Sequence, residues 1–105
     1  MLGEFEQLVL LAILRAGEDA YGVPIRHAIV DRSGRDVSLA AVYKTLTRLE
    51  EKGFVTARVG EPTAERGGRR KTYYTLTAAG RRSLRQSVEV LRRVARGLDL
   101  GLDTP

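Results

Sequence analysis

The stretch from Ser38 to Val55, SLAAVYKTLTRLEEKGFV, constrains this chain more than any other. Leu39, Val42, Leu46 and Leu49 recur at helical spacing and form one apolar stripe. Ser38 stands where an N-cap belongs, with a hydroxyl able to accept from the free amides of the first turn. Gly53 stands where a left-handed C-cap is wanted, and the β-prone Phe54 and Val55 follow at once. The segment therefore reads as one capped helix that runs into a strand. At about 100° per residue, Ala40, Ala41, Lys44, Thr47 and Arg48 point away from the stripe. That outer face is small at its start, then polar and basic. It is either the solvated side of a core helix or a face that enters a major groove. Small residues admit close approach there, and Lys and Arg can meet phosphates or guanine edges.

Two more helices precede it. Glu4 to Arg15 is the first, and its middle, LVLLAIL, is apolar on every side. Such a helix is normally buried all round. With 105 residues the chain can build one modest core. The first helix is then either sunk in its own domain or shared with a second subunit. Gly17 closes it, and Glu18 to Ala20 make a short turn. Tyr21 to Ser33 is the second helix, which requires Pro24 to lie in its first turn, where no amide bond is lost. Ile25, Ala28 and Ile29 face inward, Arg26, His27 and Arg32 do not, and Gly34 ends the helix. A brief extended piece, Arg35 to Val37, leads into the capped helix.

After Gly53 the period changes. Phe54 to Val59 and Lys71 to Leu76 (KTYYTL) are β-prone, and Gly60 to Arg70 between them holds Pro62, Gly67 and Gly68. The arrangement predicts a hairpin. Arg66, Arg69, Arg70 and Lys71 load its tip with four basic residues and no acid between Arg66 and Lys71. Such a tip is either a merely soluble loop or a contact to the minor groove or sugar-phosphate backbone. Thr77 caps a last helix from Ala78 to about Leu98. Its stripe is Leu84, Val88, Leu91, Ala95 and Leu98, with Arg82, Arg85, Arg93 and Arg96 opposite. A long terminal helix with one narrow stripe is either an interaction surface or an element laid back on its own domain. The expected division is residues 1–77, the last helix 78–98, and a frayed tail 99–105.

The totals exclude several classes. The longest apolar run, Leu8 to Leu14, is too short to span a bilayer. Glu4 and Glu6 precede it instead of a basic region, so neither a signal peptide nor membrane association is expected. There is no cysteine, hence no disulfide framework or thiolate metal site, in keeping with a cytoplasmic location. His27 is the only histidine, so one chain cannot build a His-based metal cluster, and no cofactor is expected. The Gly67-Gly68 pair lacks P-loop spacing, the serines have no evident base partner, and adjacent Glu50 and Glu51 fall on different helix faces. No catalytic set emerges, and an enzyme is not expected. The net charge of +5 points instead to a polyanionic partner.

Helix, helix, capped helix, basic hairpin is the order of a winged helix-turn-helix, with the third helix as reader and the hairpin as wing. The expected fold class is mainly α with a small β-hairpin, carrying a C-terminal dimerisation helix. The expected partner is double-stranded DNA. Other uses of the same surface are docking on an acidic protein and nonspecific association with DNA. At this point AYGVPIRHAI, SLAAVYKTLTRLEEKGFV and GGRRKTYYTLTAAG, spanning most of Ala20 to Gly80, resemble the short branch of the PadR-like transcriptional regulators. The resemblance implies a homodimer on a palindromic operator, usually a repressor, with the C-terminal helix pairing with its counterpart and with the partner's first helix. It also implies room for a small aromatic effector at the dimer centre. The chain departs from the family's habit at Lys44, often Pro, at Ala40-Ala41, often Gly-Thr, and at Pro24. These departures bear on the operator sequence.

Residue by residue, Ala40, Ala41 and Lys44 are assigned to the groove floor, with Lys44 the candidate guanine contact. Ser38, Tyr43, Thr47 and Arg48 are assigned to phosphates, the Tyr43 ring lying at the margin of the stripe. Arg66, Arg69 and Arg70 are the wing's contacts. The dimer interface is assigned to Phe5, Leu8, Val9 and Ala12 of the first helix and Leu84, Val88, Leu91, Ala95 and Leu98 of the last.

Overall fold

In the computed structural model the described residues are 2–61 and 70–101. They form α1 (Glu4–Ala16), a single 3-10 turn (Gly17–Asp19), α2 (Gly22–Ser33), α3 (Leu39–Glu51), strands β1 (Val55–Val59) and β2 (Thr72–Leu76), and α4 (Ala78–Ala95). This is the element order of a winged helix-turn-helix. Pro24 sits in the first turn of α2, and Gly34 closes that helix with a left-handed backbone, φ 72°. Ser38 caps α3 by accepting from the Ala41 amide at 3.0 Å. At the other end of α3, Gly53 donates to the Glu50 carbonyl and Phe54 to that of Leu49. That paired closure, with Gly53 at φ 77°, stops the helix and turns the chain directly into β1.

β1 and β2 pair antiparallel, Val55 opposite Leu76 and Arg58 opposite Tyr73. The Tyr74 amide donates outward to the Ala20 carbonyl at 2.8 Å. The hairpin is thereby tied to the chain just ahead of α2. A second tie lies at its base. The Thr77 hydroxyl, which also caps α4, donates to the Gly53 carbonyl at 2.7 Å, and the Thr77 amide donates to Phe54. Gly80 in the first turn of α4 lies so close to Phe54 that a Cβ would stand 3.0 Å from its carbonyl carbon and nearer still to the oxygen.

The core gathers Val9, Leu10 and Ile13 of α1, Ile25 and Ile29 of α2, Val42, Leu46 and Leu49 of α3, and Val55, Leu76 and Leu84. Leu39, expected in the stripe of α3, is half-buried, and Thr45 is buried instead. α1 is not wholly enclosed: Leu11 and Leu14 each remain 40 % exposed. α4 divides in the same way. Its first turns pack on the body through Gly80, Leu84 and Ser87, whereas Leu91 and Val94 stand 63 % and 74 % exposed. The projecting half contributes to an elongated shape of 53 × 27 × 22 Å. α4 is also three residues shorter than its apolar spacing predicts. Arg96 turns to extended backbone, so Leu98 lies beyond the helix.

Of the residues expected in the dimer surface, Val9, Ala12 and Leu84 are buried within their own chain. A helix apolar on every side does not reveal which side its own domain covers. Phe5, Leu8, Val88 and Ala95 are half-buried, and Leu91 and Leu98 are exposed. Among the described residues no helix is long and apolar enough to cross a membrane.

Candidate nucleic-acid interface

α3 presents one side to the core and the other to solvent. Val42, Leu46 and Leu49 are fully buried. Ser38, Ala40, Tyr43, Lys44, Thr47 and Arg48 are exposed, and Ala41 is half-buried. All seven residues assigned to α3 thus lie on or beside one outward face. The Ser38 hydroxyl is engaged as the cap, and Thr47 donates to the Tyr43 carbonyl at 3.1 Å. Each hydroxyl serves its own helix first. Among the described residues neither Lys44 nor Arg48 forms an ion pair, and both side chains are exposed. Helical spacing places Lys44 one turn after Ala40 and Ala41, beyond a stretch with no side chain longer than a methyl.

The wing is placed at its base. Arg70 is exposed, next to β2. Arg66 and Arg69 fall in 62–69, outside the described residues. Lys71, counted with the basic tip, belongs to the base: its ammonium lies 4.4 Å from the centre of the Tyr21 ring. The Tyr21 and Tyr73 rings meet edge to face at 5.6 Å, and Arg58 stacks over Tyr73 at 5.1 Å. Arg58 is a basic wing residue that the sequence reading passed over. The Arg58–Tyr73 register is the signal that would have found it, since cross-strand partners share a face.

Tyr43 is 42 % exposed on this face, with its hydroxyl and ring edge against Gly22. Its ring fills the space where a side chain on Gly22 would stand. A Cβ there would be 2.5 Å from the ring carbon that bears the hydroxyl. Tyr74 lies near enough for its titration to sense Tyr43. Partial burial, then the negative charges of Glu50 and Tyr43, hold the Tyr74 hydroxyl above its ordinary pKa.

Electrostatic ties hold α3 to the body. Arg26 of α2 donates from Nε to the Val37 carbonyl at 2.7 Å, with Asp36 3.9 Å from its guanidinium. Arg35 pairs with Glu4. Lys52, just past α3, reaches the buried Glu6 carboxylate at 2.7 Å, and Glu6 also accepts from the Gly3 amide at 2.9 Å. Burial alone would raise the Glu6 pKa. The hydrogen bonds from Lys52 and Gly3, with the charges of Lys52 and Arg48, outweigh it and leave the carboxyl below its ordinary value. α1 therefore grips the chain on both sides of α3. His27 is exposed on α2.

Between α1 and α4 runs a groove of about 310 Å³, floored by Leu11, Leu14, Leu84 and Val88 and edged by Arg81, Arg85 and Arg92. Among the described residues no cluster of His, Cys, Asp and Glu could hold a metal ion.

Comparison with known proteins follows the same outline. The sequence model of one family, the transcriptional regulator PadR-like family, matches residues 10–86. An uncharacterised protein of Lysinibacillus sphaericus is 30 % identical over 103 residues, spanning 96 % of this chain and 90 % of its own. A PadR family transcription regulator from Clostridium difficile superposes with a TM-score of 0.70 at 25 % identity, covering 89 % of this chain and 95 % of the other. Bacillus subtilis PadR, solved in complex with operator DNA, superposes with a TM-score of 0.65 at 25 % identity. That match covers 81 % of this chain and 47 % of the Bacillus protein.

Proposed function

This chain belongs to the PadR-like family of transcriptional regulators, and from that premise we propose that it is a cytoplasmic repressor binding a palindromic operator as a homodimer. The observation that carries the reading is the outward face of α3. It offers a small-residue stretch at Ala40 and Ala41, then the exposed cations Lys44 and Arg48, while its opposite face anchors in the core. Ala40, Ala41 and Lys44 lie against base edges, with Lys44 donating to guanine. Ser38, Thr47 and Arg48 lie toward phosphates, with Tyr43 beside them and its ring against Gly22, and Arg66, Arg69 and Arg70 carry the wing's share. One α3 reads a half-site, so the dimer sets two of them about 34–36 Å apart. The Bacillus relative solved in complex with operator DNA supports reading DNA as the partner.

The dimer forms through the surface each chain leaves open: Leu11 and Leu14 of α1, and Leu91, Val94 and Leu98 around the projecting end of α4. Phe5, Leu8, Val88 and Ala95 complete its margins. Repression is steric, by occupation of a promoter. A small aromatic effector seated in the α1–α4 groove would release it by changing the spacing of the two reading helices.

The test is a mobility shift with the labelled region upstream of the protein's own gene, challenged with excess random DNA. Survival of the shift is expected, together with a Lys44→Ala variant that loses more affinity for that region than for random DNA. Loss of the shift at equal competitor mass would reduce the protein to a nonspecific DNA binder.

A further inference from the structure

All four tyrosines of the chain gather where the wing meets the helix-turn-helix. Tyr21 and Tyr73 stack edge to face, Tyr74 hydrogen-bonds through its amide to Ala20, and Tyr43 reaches across from α3. The tightest joint is the last. Gly22, in the first turn of α2, is buried, and its missing side chain is what makes room for the Tyr43 ring. A Cβ on Gly22 would meet the Tyr43 hydroxyl oxygen first and stand 2.5 Å from the ring's Cζ and 3.0 Å from Cε1, far inside van der Waals contact. A further link near this end of α3 is the bond from Arg26 to Val37, in the segment between the helices.

From this geometry we infer that Tyr43 is a positioning residue: its ring, seated on the bare backbone of Gly22, sets the angle at which α3 leaves the turn. The inference rests on the operator reading above and deepens it. Lys44 is the next residue along the chain, so a tilt of α3 about this joint displaces it at once. Thr47 and Arg48 follow one turn later and move further. Recognition by bidentate contacts requires placement within about 0.5 Å, so a modest tilt costs discrimination between sequences before it costs attraction to phosphates. The ring carries this role: with the hydroxyl removed, Cζ and Cε1 remain seated on Gly22. That distinguishes the joint from a direct phosphate contact, in which the hydroxyl alone matters.

The experiment measures the affinity of the full chain for its selected operator duplex and for a random duplex of equal length, at one salt concentration. The variants are Tyr43→Phe, Tyr43→Leu, Gly22→Ala and the double variant Gly22→Ala/Tyr43→Leu. Tyr43→Phe is expected to keep operator affinity within about twofold. Gly22→Ala and Tyr43→Leu are each expected to lower operator affinity about tenfold while leaving random-DNA affinity unchanged. The double variant should bind like Tyr43→Leu alone, because with the ring gone the added methyl has nothing to strike. Should Gly22→Ala fail to fold, Tyr43→Leu carries the test, since it introduces no clash. A Tyr43→Leu protein that still discriminates as wild type does overturns the joint. So does a Tyr43→Phe protein that weakens on both duplexes alike, which would make the hydroxyl a phosphate donor. A wild-type protein that binds both duplexes equally refutes the operator reading itself, a result distinct from either of these.

Discussion

Glu6 looks in the sequence like an ordinary first-turn acid, placed where a helix favours negative charge. Folding makes it something else. Its carboxylate is buried against Lys52, 46 positions away, and holds the far end of α3 to α1. A buried charge keeps its ionisation only when partners offset the lost hydration, and here Lys52 and the Gly3 amide do so. The pKa in the folded chain lies below the ordinary value, so the pair's stabilisation is complete above the unfolded glutamate pKa, about 4.3. It is lost as pH falls through the lower folded value. Glu6→Gln should therefore be less stable at pH 7 by about 1–3 kcal/mol. The gap to wild type should narrow as pH drops below about 4.3. Denaturant unfolding across pH 3–7 (a range chosen around that value) reads this, and a gap independent of pH would remove the ion pair from the account. Position 44 behaves in the opposite way. Lys44 is where helical spacing put it, exposed on the outward face, because a capped amphipathic helix has only one way to turn its stripe inward.

Elements were legible where local chemistry punctuates them. Ser38 and Thr77 cap the helices they precede, and Gly53 ends α3 by the paired bonds that a left-handed glycine permits. Ends without such punctuation were less legible. α4 stops at Ala95, although its apolar spacing runs on to Leu98, and Leu91, Val94 and Leu98 there stand largely exposed. The seam between elements was not legible at all. Gly80 reads as part of a helix start, where exchange for alanine should stabilise by about 1 kcal/mol through helix propensity. In the fold its position is filled by the Phe54 backbone, which cannot swing aside as a side chain can. Gly80→Ala should instead destabilise by about 1–3 kcal/mol, and the sign of the change in Tm decides between the two. A rise in Tm would mean that α4 is not seated on the α3–β1 turn.

At the scale of the whole molecule, the open question is what covers Leu11, Leu14, Leu91 and Val94. A leucine taken from water into an apolar contact contributes about 1.5–3 kcal/mol, enough for a few such residues on each of two chains to hold a dimer. Leu91→Glu with Val94→Glu should leave the fold intact, since both residues are exposed. On the proposed dimeric reading, the same variant should sediment as a monomer at concentrations where wild type sediments as a dimer, and lose most operator affinity, because one half-site binds weakly by itself. A wild-type chain that is monomeric at the concentrations of DNA binding would refute the dimeric reading.

What the sequence determined by itself is whatever rests on near neighbours: the order of the elements, the caps, the face of α3 and its charge. These follow from spacing and from hydrogen bonds that span a few residues. What only the tertiary structure decided is whatever depends on residues brought together from afar. It placed Val9, Ala12 and Leu84 inside and left Leu11 and Leu14 open, because a uniformly apolar helix has no preferred side until neighbours pack on it. It paired Glu6 with Lys52, and it seated Tyr43 on Gly22. A glycine in the sequence is silent about whether it serves a turn or makes room for a ring. Only the path of the chain around it decides.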